Sequence, residues 1–177
     1  VDAHKFIEDC LKNCSATFTE YDAPENAEKP YIKVENTLTA LQALGAYYRS
    51  RFDIKIIGVT GSVGKTSTKE MIAAALSQGS NVFKTKGNRN SQIGLPLTML
   101  DIMPENETAV IEMGMSEFGE MERLCAIAKP SMAVMTNIGT AHIENLGSRE
   151  NIMSEKFKIT GNFTKDSTCL LYTSPSP

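Results

Sequence analysis

The sequence has no tryptophan, only two histidines and four cysteines, and it lacks any long apolar run. The cysteines, Cys10, Cys14, Cys125 and Cys169, form no CxxC pair and have no zinc-ligand spacing, so we expect free thiols in a reducing compartment. No apolar segment approaches the roughly 18 residues of a membrane helix, and no signal peptide is visible. We therefore expect a cytoplasmic protein without a membrane span.

An excess of positive charge is also missing. The chain carries 18 Lys and Arg against 21 Asp and Glu, a net charge of −3, and the basic residues form no cluster. This balance argues against a general nucleic-acid binder. Its 177 residues suffice for one medium domain, or for one domain and part of another.

One stretch, residues 56–67, dominates the sequence: IIGVTGSVGKTS. Its first half is rich in β-branched residues, as a strand inside a parallel sheet would be. The glycines Gly61 and Gly64 permit a tight turn, and a helix is predicted to start at Lys65. Free N–H groups and the helix dipole make such a start an anion site. Lys65 would reach the β- and γ-phosphates, and the Thr66 hydroxyl would bind Mg²⁺.

The stretch departs from the general phosphate-loop pattern, which has a glycine where this chain has Val59. A simple glycine turn between a strand and a helix is the alternative, but Gly-Lys-Thr-Ser at a helix start favours phosphate binding. The helix is predicted over residues 65–76. Its apolar residues predict one buried face, formed by Met71, Ile72, Ala75 and Leu76.

The rest of the chain predicts alternating strands and helices. Helices are expected over 2–13, 36–51, 95–100, 119–128 and 149–160, and strands over 16–20, 31–34, 81–84, 108–113 and 132–136. This order predicts an α/β fold with a parallel sheet flanked by helices, preceded by part of a small α/β domain. Ligands of such sheets bind at the carboxyl ends of strands. The residues at three of these ends are 61–66, Glu112 and 137–142.

Two of these positions carry groups suited to metal or substrate binding. Glu112 ends a hydrophobic strand, where it needs a cation or hydrogen-bond donors; it is either a Mg²⁺ ligand or a salt-bridged carboxylate at the sheet rim. His142 is either a metal or substrate residue or a structural one. Asn88 and Asn90, in the polar loop 85–94, either donate to a substrate or cap a turn.

Lys156 falls inside an apolar arc of its predicted helix, beside Ile152, Met153, Phe157 and Ile159. A buried lysine has a lowered pKa and becomes a reactive neutral amine. The alternative is a side chain whose ammonium group reaches solvent at the rim. The spacing alone slightly favours this second interpretation.

Four blocks of this sequence resemble the Mur ligases, which build the peptide of bacterial cell-wall precursors. The resemblance extends over roughly residues 35–160, in order and spacing. Its blocks are GVTGSVGKTS (58–67), TKGNRN with IGLP (85–96), EMG (112–114) and TNIGTAHIENLGS (136–148). Within the family, the last block is typical of the branch that joins D-alanyl-D-alanine to UDP-N-acetylmuramoyl-tripeptide.

The resemblance implies an ATP-dependent amide ligase with Mg²⁺, acting through an acyl phosphate. It implies that ATP is bound by Gly61, Ser62, Val63, Gly64, Lys65, Thr66, Ser67 and Asn137. The implied metal residues are Thr66, Glu112, His142 and, as a carbamate, Lys156. The implied catalytic residues are Lys65, His142 and Lys156. The implied substrate residues are Asn88 and Asn90. The sequence differs from the family at Arg89, Ser91 and Lys158.

The family has three domains, so we expect this chain to be a fragment that is inactive alone, and a monomer when complete. The expected division is 1–34 for part of a UDP-substrate-binding domain, 35–170 for part of the ATP-binding domain, and 171–177 for a non-native or disordered tail. Two other functions compete with the ligase. One is a different phosphate-loop NTPase, and the other is a non-catalytic nucleotide-binding module.

Overall fold

A computed structural model describes residues 3–172, which form two compact units. The first unit extends to Leu41 and contains a short 3₁₀ turn, helix α1 and two parallel strands. Their bounds are Ala3–Phe6 for the turn, Ile7–Leu11 for α1, Thr17–Thr19 for β1 and Tyr31–Lys33 for β2. Helix α2, Thr37–Arg49, continues across the division between the units. Asn36 caps it, accepting a 2.9 Å hydrogen bond from the backbone N–H of Thr39.

The second unit, from Gln42 onward, is built on a five-stranded parallel sheet of order β4-β5-β3-β6-β7. The strands are β3 (Lys55–Thr60), β4 (Val82–Lys84), β5 (Thr108–Glu112), β6 (Met132–Met135) and β7 (Thr168–Leu171). The helices are α3 (Lys65–Leu76), α4 (Gly94–Leu100), α5 (Glu120–Ala128), α6 (Ile143–Leu146) and α7 (Arg149–Phe157), which a 3₁₀ turn, Lys158–Thr160, follows. The expected α/β fold with a parallel sheet is confirmed.

The central strand β3 is flanked by β5 on one side and β6 on the other. From β3 the chain goes first to the edge strand β4 and returns to β5, and it then crosses β3 to form β6 and β7 on the other side. Five consecutive residues of β3, Ile56–Thr60, are buried, as a strand covered on both faces requires. A sheet that reverses its winding direction leaves a crevice at the carboxyl ends of its central strands. Thr60 and Glu112 stand at the ends of two of those strands.

Most predicted elements lie where the sequence placed them. The short helix α6 was not predicted, and there are three further differences. Met71, Ala75 and Leu76 of α3 are exposed, so the predicted face is wrong: this helix buries Lys69 and Ala73 instead. The last helix ends as a 3₁₀ turn after Phe157, and Met153 and Phe157 are about two-fifths exposed.

The third difference is β7, which pairs with β6 and which the sequence did not predict. Leu171, expected to begin a tail, is its last residue; the remaining expected tail, residues 173–177, lies outside the described residues. None of the helices between residues 3 and 172 has the length and apolar content that crossing a bilayer requires.

Candidate functional site

The loop between β3 and α3 is held in a conformation that only glycine adopts easily. Gly61 has φ +147°, and a Cβ there would lie 1.9 Å from the Thr136 Oγ1. Gly64 has φ +80° and directly precedes α3. Because both Gly61 and Gly64 have positive φ, the chain turns sharply from the strand into the helix. The loop therefore brings the start of a 12-residue helix, with its unpaired N–H groups, to the carboxyl edge of the sheet.

Asn137, just after β6, braces this loop. Its Oδ1 accepts hydrogen bonds from the backbone N–H groups of Ser62 and Val63, at 3.0 and 3.1 Å. The neighbouring Thr136 hydroxyl donates to the Val63 carbonyl at 2.6 Å, and the Gly139 N–H donates to the Ser62 hydroxyl at 2.9 Å. The segment that follows β6 thus fixes the loop, which reduces the ordering cost of ligand binding.

Lys65, the first residue of α3, folds its side chain back over the loop. Its ammonium group donates a 2.9 Å hydrogen bond to the Gly61 carbonyl. An ammonium group and free helix-start N–H groups at one place form an anion site. The arrangement suits a phosphate chain.

Glu112 lies beside this loop and is only 2% exposed. The Thr66 hydroxyl donates to its Oε2 at 3.0 Å, and the Asn90 amide nitrogen donates to its Oε1 at 2.7 Å. Its backbone N–H donates to the Thr85 hydroxyl at 2.9 Å. The alternative of a salt bridge at the sheet rim is met only in part: a lysine does lie at an ion-pair distance of 3.8 Å from Oε2, but the carboxylate is buried and accepts its hydrogen bonds from neutral donors.

Glu112 lies at an ion-pair distance from Lys69, a residue that the sequence pattern did not single out. Lys69 is completely buried, with its Nζ 3.8 Å from Glu112 Oε2. It lies four residues after Lys65, and Ala73 follows after four more, so helical spacing puts all three on one side of α3. The prediction of a buried face from apolar residues alone could not detect this spacing, because two of the three residues are lysines.

A cleft of about 170 Å³ opens next to the loop. It is lined by Lys65, Asn90, Ser91, Gly114, Met115, Ser116, Glu120 and His142. His142 has a left-handed backbone, φ +65°, and precedes α6. Of the sequence-predicted residues, the structure therefore brings Lys65, Asn90 and His142 to one cleft. Asn88 and Ser67 are exposed elsewhere on the loop and helix surfaces.

Lys156, on α7, is 2% exposed, so the interpretation in which its ammonium reaches solvent is wrong. Burial and, to a smaller extent, the nearby ammonium of Lys65 together lower the pKa of Lys156 to about 8. No ion pair with Lys156 is formed within residues 3–172. The geometry thus holds an amine that loses its proton far more readily than an ordinary lysine.

A divalent cation fits the pair formed by Thr66 and Glu112. A hydroxyl oxygen and a carboxylate oxygen 3.0 Å apart are hard ligands next to a phosphate-type loop. Mg²⁺ typically takes one or two protein oxygens and completes its shell with phosphates and water. Between residues 3 and 172, no group of three or more His, Cys, Asp or Glu side chains could hold a metal by itself. The metal would therefore depend on a bound nucleotide.

Comparison with known proteins agrees with this geometry. Residues 59–175 match the family model described as Mur ligase middle domain. The chain is 45% identical to the UDP-N-acetylmuramoyl-tripeptide–D-alanyl-D-alanine ligase of Bacillus subtilis over 179 aligned positions, covering 99% of this chain and 39% of the relative.

Two solved structures are similar as well. MurF from Acinetobacter baumannii superimposes with a TM-score of 0.90 at 34% identity, over 98% of this chain and 39% of that one. MurF from Thermotoga maritima in complex with ADP gives a TM-score of 0.87 at 37% identity, over 96% of this chain and 40% of that one. The chain spans about two fifths of the length of these relatives.

Proposed function

The chain belongs to the Mur ligase family, and from that premise we propose that it is the nucleotide-binding part of an ATP-dependent amide ligase. The reaction is the addition of D-alanyl-D-alanine to UDP-N-acetylmuramoyl-tripeptide, as named for the Bacillus subtilis relative. The observation that carries the proposal is the braced glycine loop with Lys65, Thr66 and Glu112 at its side.

ATP lies with its phosphates on the loop 61–67. The backbone N–H groups and Lys65 bind the phosphate oxygens, and Asn137 keeps the loop in its binding conformation. Lys65 leaves the Gly61 carbonyl to make this contact. The MurF neighbour solved in complex with ADP supports the choice of an adenine nucleotide as the ligand.

Thr66 and Glu112 hold Mg²⁺ in this proposal, and His142 and a modified Lys156 serve a second metal and the substrate. The metal supplies charge neutralisation for the transferring phosphoryl group. Asn90, which lines the cleft, and Asn88, which is exposed outside it, remain the proposed substrate residues. The Asn90 amide nitrogen also donates to Glu112. Asn90 thus has a second role, holding the carboxylate.

The chemistry needs no nucleophilic side chain. The terminal carboxylate of the tripeptide attacks the γ-phosphorus of ATP, forming a C–O–P bond as the bond to ADP breaks. The neutral amine of D-alanyl-D-alanine then attacks the acyl carbon, and its nitrogen loses a proton. The tetrahedral intermediate collapses to the amide as the C–O bond breaks and phosphate leaves. Lys65 stabilises the negative charge that develops on the transferring group, which is the largest contribution expected of such sites.

Lys156 becomes a carbamate in this proposal. Its neutral amine adds to CO₂, forming an N–C bond and releasing a proton, and a buried cation is thereby converted into an anion. The lowered pKa of about 8 supports the reaction, because the neutral amine is the reactive form. In ¹³C-bicarbonate, the chain should show a carbamate NMR signal that disappears in Lys156→Met. A spectrum without that signal would remove Lys156 from the metal site.

Calorimetric titration with Mg-ATP tests nucleotide binding. Lys65→Met removes a charge-assisted phosphate contact and should weaken binding by well over about tenfold. Lys55→Met, at the opposite end of β3, is the matched control and should bind as the unaltered chain does. Equal affinities for both variants would overturn the phosphate-loop assignment.

Ligation is tested with the longest reading frame that contains this chain. Phosphate release that requires both muramoyl tripeptide and D-alanyl-D-alanine, with the amide product detected by mass spectrometry, supports the ligase. ATP turnover indifferent to these substrates would favour another phosphate-loop NTPase. Nucleotide binding without turnover in that reading frame would favour a non-catalytic module.

A further inference from the structure

Lys69 is a completely buried lysine to which the proposed mechanism gives no role. Its Nζ donates hydrogen bonds to two carbonyls of the next loop, those of Thr85 at 2.8 Å and Gly87 at 3.1 Å. A carboxylate oxygen of Glu70 lies 3.2 Å away. An ammonium group has three protons, so these three oxygens use all of its donors.

The contacts of Lys69 leave Glu112 close but not hydrogen-bonded to it. The 3.8 Å between Nζ and Oε2 is an ion-pair distance, too long for a hydrogen bond. Lys69 therefore balances the negative charge of Glu112 without occupying its oxygens. Among residues 3–172, the carboxylate accepts its hydrogen bonds from two neutral donors, Thr66 and Asn90.

The loop that Lys69 fastens is the same loop that fixes Glu112. Thr85 accepts the backbone N–H of Glu112, and Asn90 donates to its Oε1. Two hydrogen bonds thus join Lys69 to this loop, and two more join the loop to Glu112, one at its backbone N–H and one at its carboxylate. If Lys69 released this loop, the two bonds from the loop to Glu112 would lose their support.

We propose that Lys69 is a positioning residue for the proposed metal ligand: it fastens the loop 85–90 to α3 and so holds Glu112 with its Oε2 beside the Thr66 hydroxyl. The inference rests on the proposed binding of Mg²⁺ and nucleotide. It predicts that Lys69 affects the metal-dependent part of nucleotide affinity and leaves the metal-independent part unchanged.

The test measures the dissociation constant for ADP in EDTA and in saturating Mg²⁺. We call the first divided by the second the magnesium gain, so a larger gain means a stronger effect of Mg²⁺ on affinity. Lys69→Met keeps the length of the side chain and removes its charge and donors. We expect the gain to fall by about tenfold, as for one lost charge-assisted contact, with the affinity in EDTA unchanged. Lys69→Arg retains a positive charge and should recover part of the gain.

Lys84→Met is the matched control, because Lys84 pairs with the same Glu70 from an exposed position. It should leave the magnesium gain as it is. A folded Lys69→Met chain with the full gain, or with both affinities reduced by one factor, would overturn the inference. Absence of any gain in the unaltered chain would instead overturn the proposed function first.

A measurement on the unaltered chain covers the case in which Lys69→Met does not fold. The ¹⁵N signal of the Lys69 ammonium should shift when Mg-ADP is added and stay in place when ADP is added with EDTA. Glu112→Gln should abolish that difference. A Lys69 signal that responds equally to ADP with and without Mg²⁺ would contradict the role at Glu112.

Discussion

The Thr66 hydroxyl donates a 3.0 Å hydrogen bond to Glu112 Oε2, joining the first turn of α3 to the end of β5. The two residues are distant in sequence and meet because β3 and β5 are parallel neighbours in the sheet, with Val59 paired to Glu112. The contact puts two hard oxygen ligands next to the glycine loop. A metal bound there would be coordinated by both oxygens, and the Thr66 hydroxyl would then donate its hydrogen bond to another acceptor.

Replacing Glu112 by glutamine should remove most of the magnesium dependence of nucleotide binding. An amide oxygen is a far weaker Mg²⁺ ligand than a carboxylate, whereas the loop and Lys65 are untouched. We expect ADP affinity in EDTA to stay as it is and the increase on adding Mg²⁺ to disappear in calorimetry. Glu107→Gln, just before the opposite end of β5, should keep that increase. A normal Mg²⁺ response in Glu112→Gln would exclude Glu112 as a ligand.

The lowered pKa of Lys156 predicts a pH-dependent stability. The group has a pKa of about 8 when folded, below its value of 10.5 in a model compound, so the unfolded chain binds more protons between those values. Stability therefore rises with pH over that window, and below about pH 8 the full cost applies, about 3 kcal/mol.

Lys156→Met removes this cost. In CO₂-free buffer, urea unfolding at pH 7 should show the variant to be more stable than the unaltered chain, by up to about 3 kcal/mol. The difference should shrink as the pH approaches 10. Lys165→Met, at an exposed position, should show no such trend. A Lys156→Met chain that is equally or less stable at pH 7 would contradict the inferred cost of burial.

Much of the sheet and loop could be predicted because local signals agreed with the tertiary structure. The β-branched run before Gly61 does form the central buried strand, and Met121, Leu124, Cys125 and Ala128 are the buried face of α5. The spacing that put Glu112 and the segment after β6 at strand ends also placed them beside the loop.

Other features could not be read from periodicity. Lys69 is buried because it donates to backbone carbonyls of a loop, and the path of that loop is defined only by the fold. From its hydrophilic character alone, Lys69 would be expected on the exposed face of α3. Strand β7 pairs with one neighbour among the described residues, and three of its four residues are exposed, which leaves a weak apolar pattern. The bracing role of Asn137 depends on its contacts with Ser62 and Val63, which precede it by 75 and 74 positions in the sequence.

Asn137→Ala should weaken nucleotide binding without changing its magnesium dependence. The substitution removes the acceptor of two loop N–H groups, so the loop must be ordered by the ligand instead. We expect ADP affinity to fall about tenfold in Mg²⁺ and in EDTA alike, roughly the value of such hydrogen bonds. Asn145→Ala, whose amide nitrogen donates to the Ser116 carbonyl, is the control. A loss confined to Mg²⁺ conditions would place Asn137 at the metal instead.

Alanine at three glycines should separate backbone strain from steric conflict in the loop. Gly79 has open space around it, so Gly79→Ala should leave thermal stability nearly unchanged. Gly64 has φ +80°, but a Cβ added there would lie 4.0 Å from the Thr136 Cβ, an ordinary van der Waals contact. Gly64→Ala should therefore cost about 1 kcal/mol, the strain alone.

Gly61→Ala combines both effects, because the backbone is strained at φ +147° and the new Cβ would lie 1.9 Å from the Thr136 Oγ1. We expect a loss of at least about 3 kcal/mol in urea unfolding and no measurable ADP binding. Adding Thr136→Ala should restore part of the stability, since the conflicting oxygen is gone, although the bond from that hydroxyl to the Val63 carbonyl is lost with it. A Gly61→Ala chain as stable as Gly64→Ala would mean that the loop can move away from β6, contrary to the bracing seen here.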